Sequence, residues 1–374
     1  MRVNAFTKPF YLSPEASVAI RERQRHSLKD VARKADVSVA TVSRYLNGTL
    51  DLPARTRARI DGAVASLGYR PNPHARRLSL GRSDTIALVV PDIANPFFAR
   101  LSAAMERAAA ARGQMVTLHA TRSCHDREVA VLELAAENLV DGVVFLTHHA
   151  TGPEIAERLN HFPRAVVLDE DVPGVTAPRL MCDNELGGFL AGRHLYGAGH
   201  RKVAYIGGGG ELFSTAARLN GLRRGMDGLD ATRCYVGEHA ARSGRSLARR
   251  FLDERDGETA IFVGSDELLL GVLEVFRDAG ILVPHDVSLV SFDDVRSLHL
   301  FDPPITAVAQ PVDTLGRRAV ELLLDGAWDD PEFRRTTELL PVHLIDRGSV
   351  GPPTGSGQKE TGPSPLHSQH GDTS

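Results

Sequence analysis

Val39, Ala40, Ser43 and Arg44 are the side chains of this 374-residue chain whose chemistry can be read soonest. They share a stretch with Val37, Val42 and Leu46, which are apolar at helical spacing and claim the inner face. The first four are therefore left to face outward. An exposed helix face of small side chains with one arginine, set after a short helix and a tight turn, is the geometry that seats a helix in a DNA major groove. Other chemistries find less support. Cys124, Cys182 and Cys234 are scattered without C-x-x-C spacing, so neither disulfides nor zinc is indicated. The adjacent His148 and His149 have no Cys or carboxylate at ligand spacing beside them, and no metal or cofactor is expected. No nucleophile elbow with a later His appears, so an enzyme is not expected. Gly207 to Gly210 follows an apolar run but lacks the G-x-G-x-x-G spacing and the P-loop Lys-Ser/Thr, and reads as a cleft-edge turn.

Three short helices must position the reading face. Ser27 can cap the first and Asp30 can answer it, a capping-box variant, with Val31, Ala32 and Ala35 inside. The turn Ala35-Asp36-Val37-Ser38 follows, and Ser38 caps a second helix from Val39 to Leu46. A third, about Ala54 to Leu67, sets Ile60, Val64 and Leu67 on one side and Arg55, Arg57 and Arg59 on another. Next, Asn72 to Gly81 reads as a helix of about two turns: Asn72 can cap it, Pro73 suits its first position and Gly81 can stop it. So short a helix is marginal alone in water, and a plain linker is the alternative. Residues 1–82 hold 16 Lys/Arg against 6 Asp/Glu, a net of +10, while the rest of the chain carries −13. A basic first fifth on an acidic body suits a polyanionic partner.

From Thr85 the pattern changes. TIALVV, MVTLHA, GVVFLT, AVVL, KVAYIGG, TAIFV and VSLVSF are short apolar runs separated by helical stretches. This alternation predicts an α/β fold with doubly wound parallel sheets, and the length accommodates two. No apolar run approaches the ~20 residues that span a bilayer, and the N-terminus lacks signal-peptide form, so a cytoplasmic protein is expected. Residues 348–374 are rich in Pro, Gly and Ser and are expected to form a disordered tail without a leucine heptad. Residues 1–26 are either a disordered basic arm or the product of a start codon placed upstream of the true one.

SLKDVARKADVSVATVSRYLNG, TRARIDGAVASLGYRPN and ARRLSLGRSDTIALVVPDIANPFF resemble the lactose-repressor (LacI/GalR) family of bacterial regulators. The resemblance runs from Ser27 to about Arg347. It implies a three-helix helix-turn-helix DNA-binding domain over 27–71, a hinge helix and linker over 72–84, and an effector-binding and dimerisation domain of periplasmic-binding-protein form over 85–347. It implies that Val39 and Ala40 lie against base edges, that Arg44 reaches a base edge such as the O6/N7 face of guanine, and that Ser38, Thr41, Ser43 and Asn47 hold phosphates. It also implies that Leu78, with Ala75 one turn before it, wedges into the minor groove. Two departures stand out: Asp36 where the family has Gly, and Pro53 where it has a Ser cap, for which Asp51 is a substitute.

In the body the resemblance implies interlobe crossings near Asp183, near Asp293-Asp294 and near Gln310-Pro311, with a small-molecule effector in the cleft between lobes. Asn95, Phe97 and Phe98 match a cleft motif in which one Phe stacks on the ligand and the other packs in the core. Arg218 matches an arginine that reaches ligand oxygens. Asp266 matches a carboxylate that accepts ligand hydroxyls, with a helix cap as its plain alternative. Asp169 falls where the family often has Asp-Arg, but Glu170 here reverses the charge at the cleft rim. His239 falls where some relatives carry an aromatic residue. The expected function is a homodimeric repressor that binds double-stranded operator DNA under control of a sugar-like effector. The competing reading is a secreted solute-binding protein, against which the DNA reader and the missing leader both count.

Overall fold

The computed structural model describes residues 26–69, 83–137, 140–228 and 232–353. The chain divides into two compact units at Ser83/Asp84. The expected hinge helix, including Ala75 and Leu78, lies outside the described residues. No helix among those described is long and apolar enough to cross a membrane.

The first unit is a three-helix cluster: α1 (Leu28–Ala35), α2 (Val39–Leu46) and α3 (Ala54–Leu67). Val31, Ala32, Ala35, Val42, Ile60 and Ala63 form its buried centre. At α1 the capping box closes as read: Ser27 Oγ accepts from Asp30 N, and the Asp30 carboxylate accepts from Ser27 N at 2.9 Å. Asp36 ends α1 in the left-handed region at φ 50°, so it does there what Gly would. Pro53 leaves α3 without a side-chain cap. Asp51 does not replace it; its carboxylate accepts from Leu52 N, one residue on, too early to reach the first turn of α3.

The second unit contains two six-stranded sheets. In chain order its elements are β1 (Thr85–Val90), α4 (Pro96–Ala110), β2 (Met115–Ala120), α5 (His125–Glu137), β3 (Gly142–Phe145), α6 (Pro153–His161), β4 (Ala165–Leu168) and β5 (Arg179–Cys182). Then come α7 (Asn184–Gly197), β6 (Val203–Gly207), α8 (Phe213–Gly225), β7 (Thr232–Val236), α9 (Ala241–Glu254), β8 (Ala260–Val263), α10 (Asp266–Ala279) and β9 (Ser288–Phe292). β10 (Thr306–Ala309), α11 (Val312–Asp325), β11 (Thr337–Leu340) and β12 (His343–Ile345) complete the unit. The first sheet runs β11-β5-β4-β3-β1-β2 and the second β12-β10-β9-β8-β6-β7. Every pairing is parallel except β10 with β12.

Alternation along β1 shows why both faces must be covered. Ile86, Leu88 and Val90 join a cluster with Phe98 and Leu101 of α4 and Leu315 of α11. Ala87 and Val89 join another with Leu132 of α5 and Ile155 of α6. β6 divides likewise, Ala204 and Ile206 packing with α9 and α10, Val203 and Tyr205 with α7 and α8. A strand buried on both faces reads as an unbroken apolar run.

The chain passes between sheets at Asp183, at Gln310-Pro311 and at Pro341-Val342. Asp293-Asp294 is not a crossing, because β9 and β10 pair with each other in the second sheet. The strands β11 and β12 are too short and too polar to have stood out in the sequence. Residues 348–353 are likewise part of the body rather than tail. Ser349 is fully buried; its Oγ accepts from Thr306 N and donates to Leu289 O, and Ser288 Oγ accepts from Gly351 N.

Candidate nucleic-acid interface and effector cleft

On α2, none of the seven predicted contact residues is buried. Val39, Ala40 and Arg44 are exposed, while Thr41, Ser43 and Asn47 are half-buried along the flank. Ser38 is exposed but already occupied: its Oγ accepts from Thr41 N at 3.0 Å and lies 2.8 Å from Thr41 Oγ1. Asn47 caps the far end through its backbone N–H to Ser43 O. Sequence reading missed how this face is braced. Arg59, grouped there with Arg55 and Arg57, stays exposed but lies along the turn and donates to the Ala35 and Asp36 carbonyls, the latter at 2.6 Å. Tyr45 Oη donates to the Asp61 carboxylate at 3.0 Å, tying α2 to α3. The signal was the turn itself, whose carbonyls end a helix and need donors.

In the second unit, the cleft residues sit just past the carboxyl ends of strands. Both sheets carry the order 2-1-3-4-5 followed by one added strand, an arrangement with its switch point at the first strand. Asn95, Phe97 and Phe98 follow β1, His148 follows β3, and Asp169 and Glu170 follow β4. From the other lobe come Ser214 and Arg218 of α8, His239 after β7, Ser265 and Asp266 after β8, and Asp293 after β9. Gln310 follows β10, and all of these line one cavity. Thus Asn95, Phe97, Phe98, Asp169, Arg218 and Asp266, widely separated in sequence, converge.

The details correct several expectations. Phe97 and Phe98 are both buried and both line the cavity, their rings edge-to-face at 5.1 Å, so they do not divide into one core and one cleft residue. Asp266 is not the cap of α10. Ser265 is, and Asp266 is instead free to take Asn95 Nδ2 at 3.3 Å from the opposite lobe. Asn95 is used at both ends, since its Oδ1 caps α4 by accepting from Phe97 N. Glu170 is buried rather than on a rim. It accepts from Ser214 Oγ at 2.6 Å and Ser214 N at 3.2 Å, and so caps α8, which has no side-chain cap of its own, from across the cleft. A carboxylate at a helix N-terminus is favourably placed for the helix dipole.

Arg218 is held by Asn184 Oδ1 at 2.7 Å and the Gly264 carbonyl, with its guanidinium 3.7 Å above the Phe292 ring. α8 carries Arg218 to this place because glycines let it approach α7 closely. A Cβ on Gly188 would lie 2.0 Å from Arg218 O, and one on Gly221 2.0 Å from Glu185 O. A third glycine, Gly208, admits His239, whose Nε2 would stand 2.1 Å from an added Cβ. The His239 and His148 rings meet from opposite lobes at 5.0 Å, and Phe98 backs His148 at 5.0 Å. The neighbouring mouth, which shares Asn95, Phe98, His148 and His239, opens to a cavity of about 470 Å³. That lies within the size range of small-ligand sites. His149 also lines this mouth, with its Nε2 3.1 Å from buried Glu128, which accepts from Thr147 Oγ1.

Burial sets the electrostatics here. It pushes Asp169 and Asp266 up to about 7, Asp266 with help from the charges of Asp293 and Glu267. Burial also raises Glu170 and Asp293 above the ordinary carboxylate range. It drives His148 down to about 4 and His239 well below its usual value, so both imidazoles are neutral at pH 7. Ser214, Asp293 and Gln310 were not anticipated as cleft residues, nor Asn184 as the partner of Arg218. For Asp293 and Gln310 the available signal was a polar residue directly after an apolar strand; Ser214 and Asn184, in the first turns of α8 and α7, carried none.

The sequence matches the model for bacterial regulatory proteins of the lacI family over residues 27–72, and that for periplasmic binding protein-like domains over 193–350. It is 32% identical over 336 residues to the HTH-type transcriptional repressor CytR of Escherichia coli K12, covering 89% of this chain and 98% of that protein. A lac repressor dimer bound to operator and the anti-inducer ONPF superposes with a TM-score of 0.73 at 25% identity, covering 88% of this chain and all of that one. A complex of the transcriptional regulator CelR with cellobiose gives 0.63 at 30% identity, covering 87% of this chain and all of that one. With its helix-turn-helix, its paired α/β lobes and relatives matched along nearly their whole length, the chain belongs to the lacI family of DNA-binding bacterial regulatory proteins.

Proposed function

We propose that this protein is a homodimeric transcriptional repressor whose hold on operator DNA is set by a sugar-like effector in the interlobe cleft. One observation carries the reading: the cleft is lined from both lobes by hydrogen-bonding groups and aromatic rings that only closure brings together. A ligand held between lobes biases their closure, and so has differential affinity for two conformations. Val39 and Ala40 contact base edges, Arg44 a guanine, and Ser38, Thr41, Ser43 and Asn47 phosphates. Ala75 and Leu78 belong to a hinge that opens the minor groove. Arg218 and Asp266 orient the effector, Asn95 and Asp169 add polar contacts, and Phe97 and Phe98 supply apolar wall. The operator-bound lac repressor dimer and the cellobiose complex of CelR support this assignment of partners. The protein acts by binding, without catalysis, in the cytoplasm.

The test is selection of bound sequences from random DNA, followed by gel shifts with and without candidate sugars. A near-palindrome of about 14–20 base pairs is expected, its half-sites about one helical turn apart. An asymmetric site without repeated halves would contradict the dimeric reading.

A further inference from the structure

The inner end of the cleft, a space of about 20 Å³ with room for one small polar group, is short of positive charge. Asp169, Glu170, Asp266, Glu267 and Asp293 line this inner space against the guanidinium of Arg218, whose bonds go to Asn184 and the Gly264 carbonyl, while Arg122 and Arg242 line the wider mouth instead. Both cleft imidazoles are neutral and add no charge. Most of the carboxylates have a partner: Glu170 has Ser214, Asp266 has Asn95, and Asp293 accepts from Gln310 Nε2 at 2.6 Å. Asp169 does not. Its Oδ1 is hidden from solvent without a hydrogen-bond partner. Gln310, only 7% exposed, has its Oε1 buried and unpartnered too. Because a carboxylate can only accept, the bond to Asp293 fixes which end of the Gln310 amide is which.

Two buried acceptor atoms, one from each lobe of the same small cavity, call for donors from whatever fills it. An ammonium group supplies three donors and no acceptor, together with the missing charge. A carboxylate or phosphate would instead meet like charge in a poorly solvated space. We infer that the effector is a cationic amine, an amino sugar or another polyhydroxylated amine, with its ammonium group on Asp169 and a further donor on Gln310. This rests on the cleft being the effector site. Burial already holds Asp169 at about 7, and a cation beside it favours the ionised form.

The experiment uses the full-length protein and matched panels of hexoses and pentoses in amino, N-acetylamino, neutral, uronate and phosphate forms, with simple aliphatic amines added. Thermal-shift screening precedes calorimetry of the binders. An amino form should bind at least about tenfold more tightly than its N-acetyl and neutral counterparts, and uronates and phosphates should not bind. Asp169→Asn should lower amine affinity roughly ten- to hundredfold and the affinity of the neutral counterpart less than about threefold. If no amine binds, if the N-acetyl or neutral form binds as well, or if Asp169→Asn leaves amine affinity unchanged, the inference is wrong. Arg218→Met and Asp266→Asn, checked for folding by circular dichroism, test the site itself. Panel members that keep their affinity in both variants bind outside the cleft, which overturns the effector site. Neutral sugars that are preferred and lost in both overturn only the amine.

Discussion

At the residue scale, each functional side chain is defined by what it has left over after local bonding. Arg44 is exposed on α2 and so is available to a base edge. Arg44→Ala should cost roughly 1–3 kcal/mol on the selected operator and relax one base position, with little change on random DNA. Equal losses on both, in gel shifts at one fixed salt concentration, would identify it as a phosphate contact. Asp266 makes a different point. Burial, reinforced by Asp293 and Glu267, raises it to about 7, while Asn95 and the Glu267 N–H pull the other way. Arg218, Glu170 and Asp169 also face this space, and His148 and His239 stay neutral through the range concerned. A ligand that donates hydrogen bonds to Asp266 and Asp169 prefers their ionised forms. Binding near pH 7 of a ligand whose own charge is constant over the range should therefore release protons, and its affinity should rise as pH goes from about 6 to about 8. Calorimetry in two buffers of different ionisation enthalpy reads this directly; proton uptake, or affinity that falls with pH, would contradict it.

At the element scale, the close pairing of α7 and α8 decides where the chemistry stands. Ser214 and Arg218 both ride on α8, and Gly188 of α7 is one of the two places where the backbones of these helices come closest. Gly188→Ala sets a methyl 2.0 Å from Arg218 O, a contact with backbone that no side-chain rotation relieves. The variant should lose roughly 1–3 kcal/mol in denaturant unfolding of the body and should weaken effector binding at least tenfold. Its operator affinity without effector should be nearly unchanged, because the first unit is compact on its own. Normal effector affinity would mean that α8 tolerates displacement and that Arg218 is not positioned in this way.

At the scale of the whole molecule, the function is a coupling between the two units. By linkage, whatever factor the effector changes operator affinity by, operator changes effector affinity by the same factor. A coupling of ~1–3 kcal/mol gives a switch of roughly five- to 150-fold. Calorimetry of the effector with and without operator DNA should return the factor seen in gel shifts. A compound that binds equally well in both conditions occupies the cleft without being the effector.

Much was legible from the sequence because it depends on neighbours in the chain. The Ser27–Asp30 box, the Ser38 cap, the left-handed Asp36 and the extent of α2 and α3 are local matters of spacing and backbone conformation. The doubly wound lobes followed from apolar runs alternating with helices. Asn95, Phe97, Phe98, Asp169, Arg218 and Asp266 were found through motifs, and the fold brings them to one cavity. Only tertiary structure could decide the rest. The crossing at Pro341-Val342 lies between two short strands that take their place from the sheets they join. Arg59, though exposed, braces the turn because two carbonyls more than twenty residues away take its donors. Glu170 is a buried helix cap because α8, on the opposite lobe, begins without one of its own. Which acceptors stay unpartnered, and hence what a ligand must bring, is set by distances between groups far apart in sequence, and no local pattern carries that information.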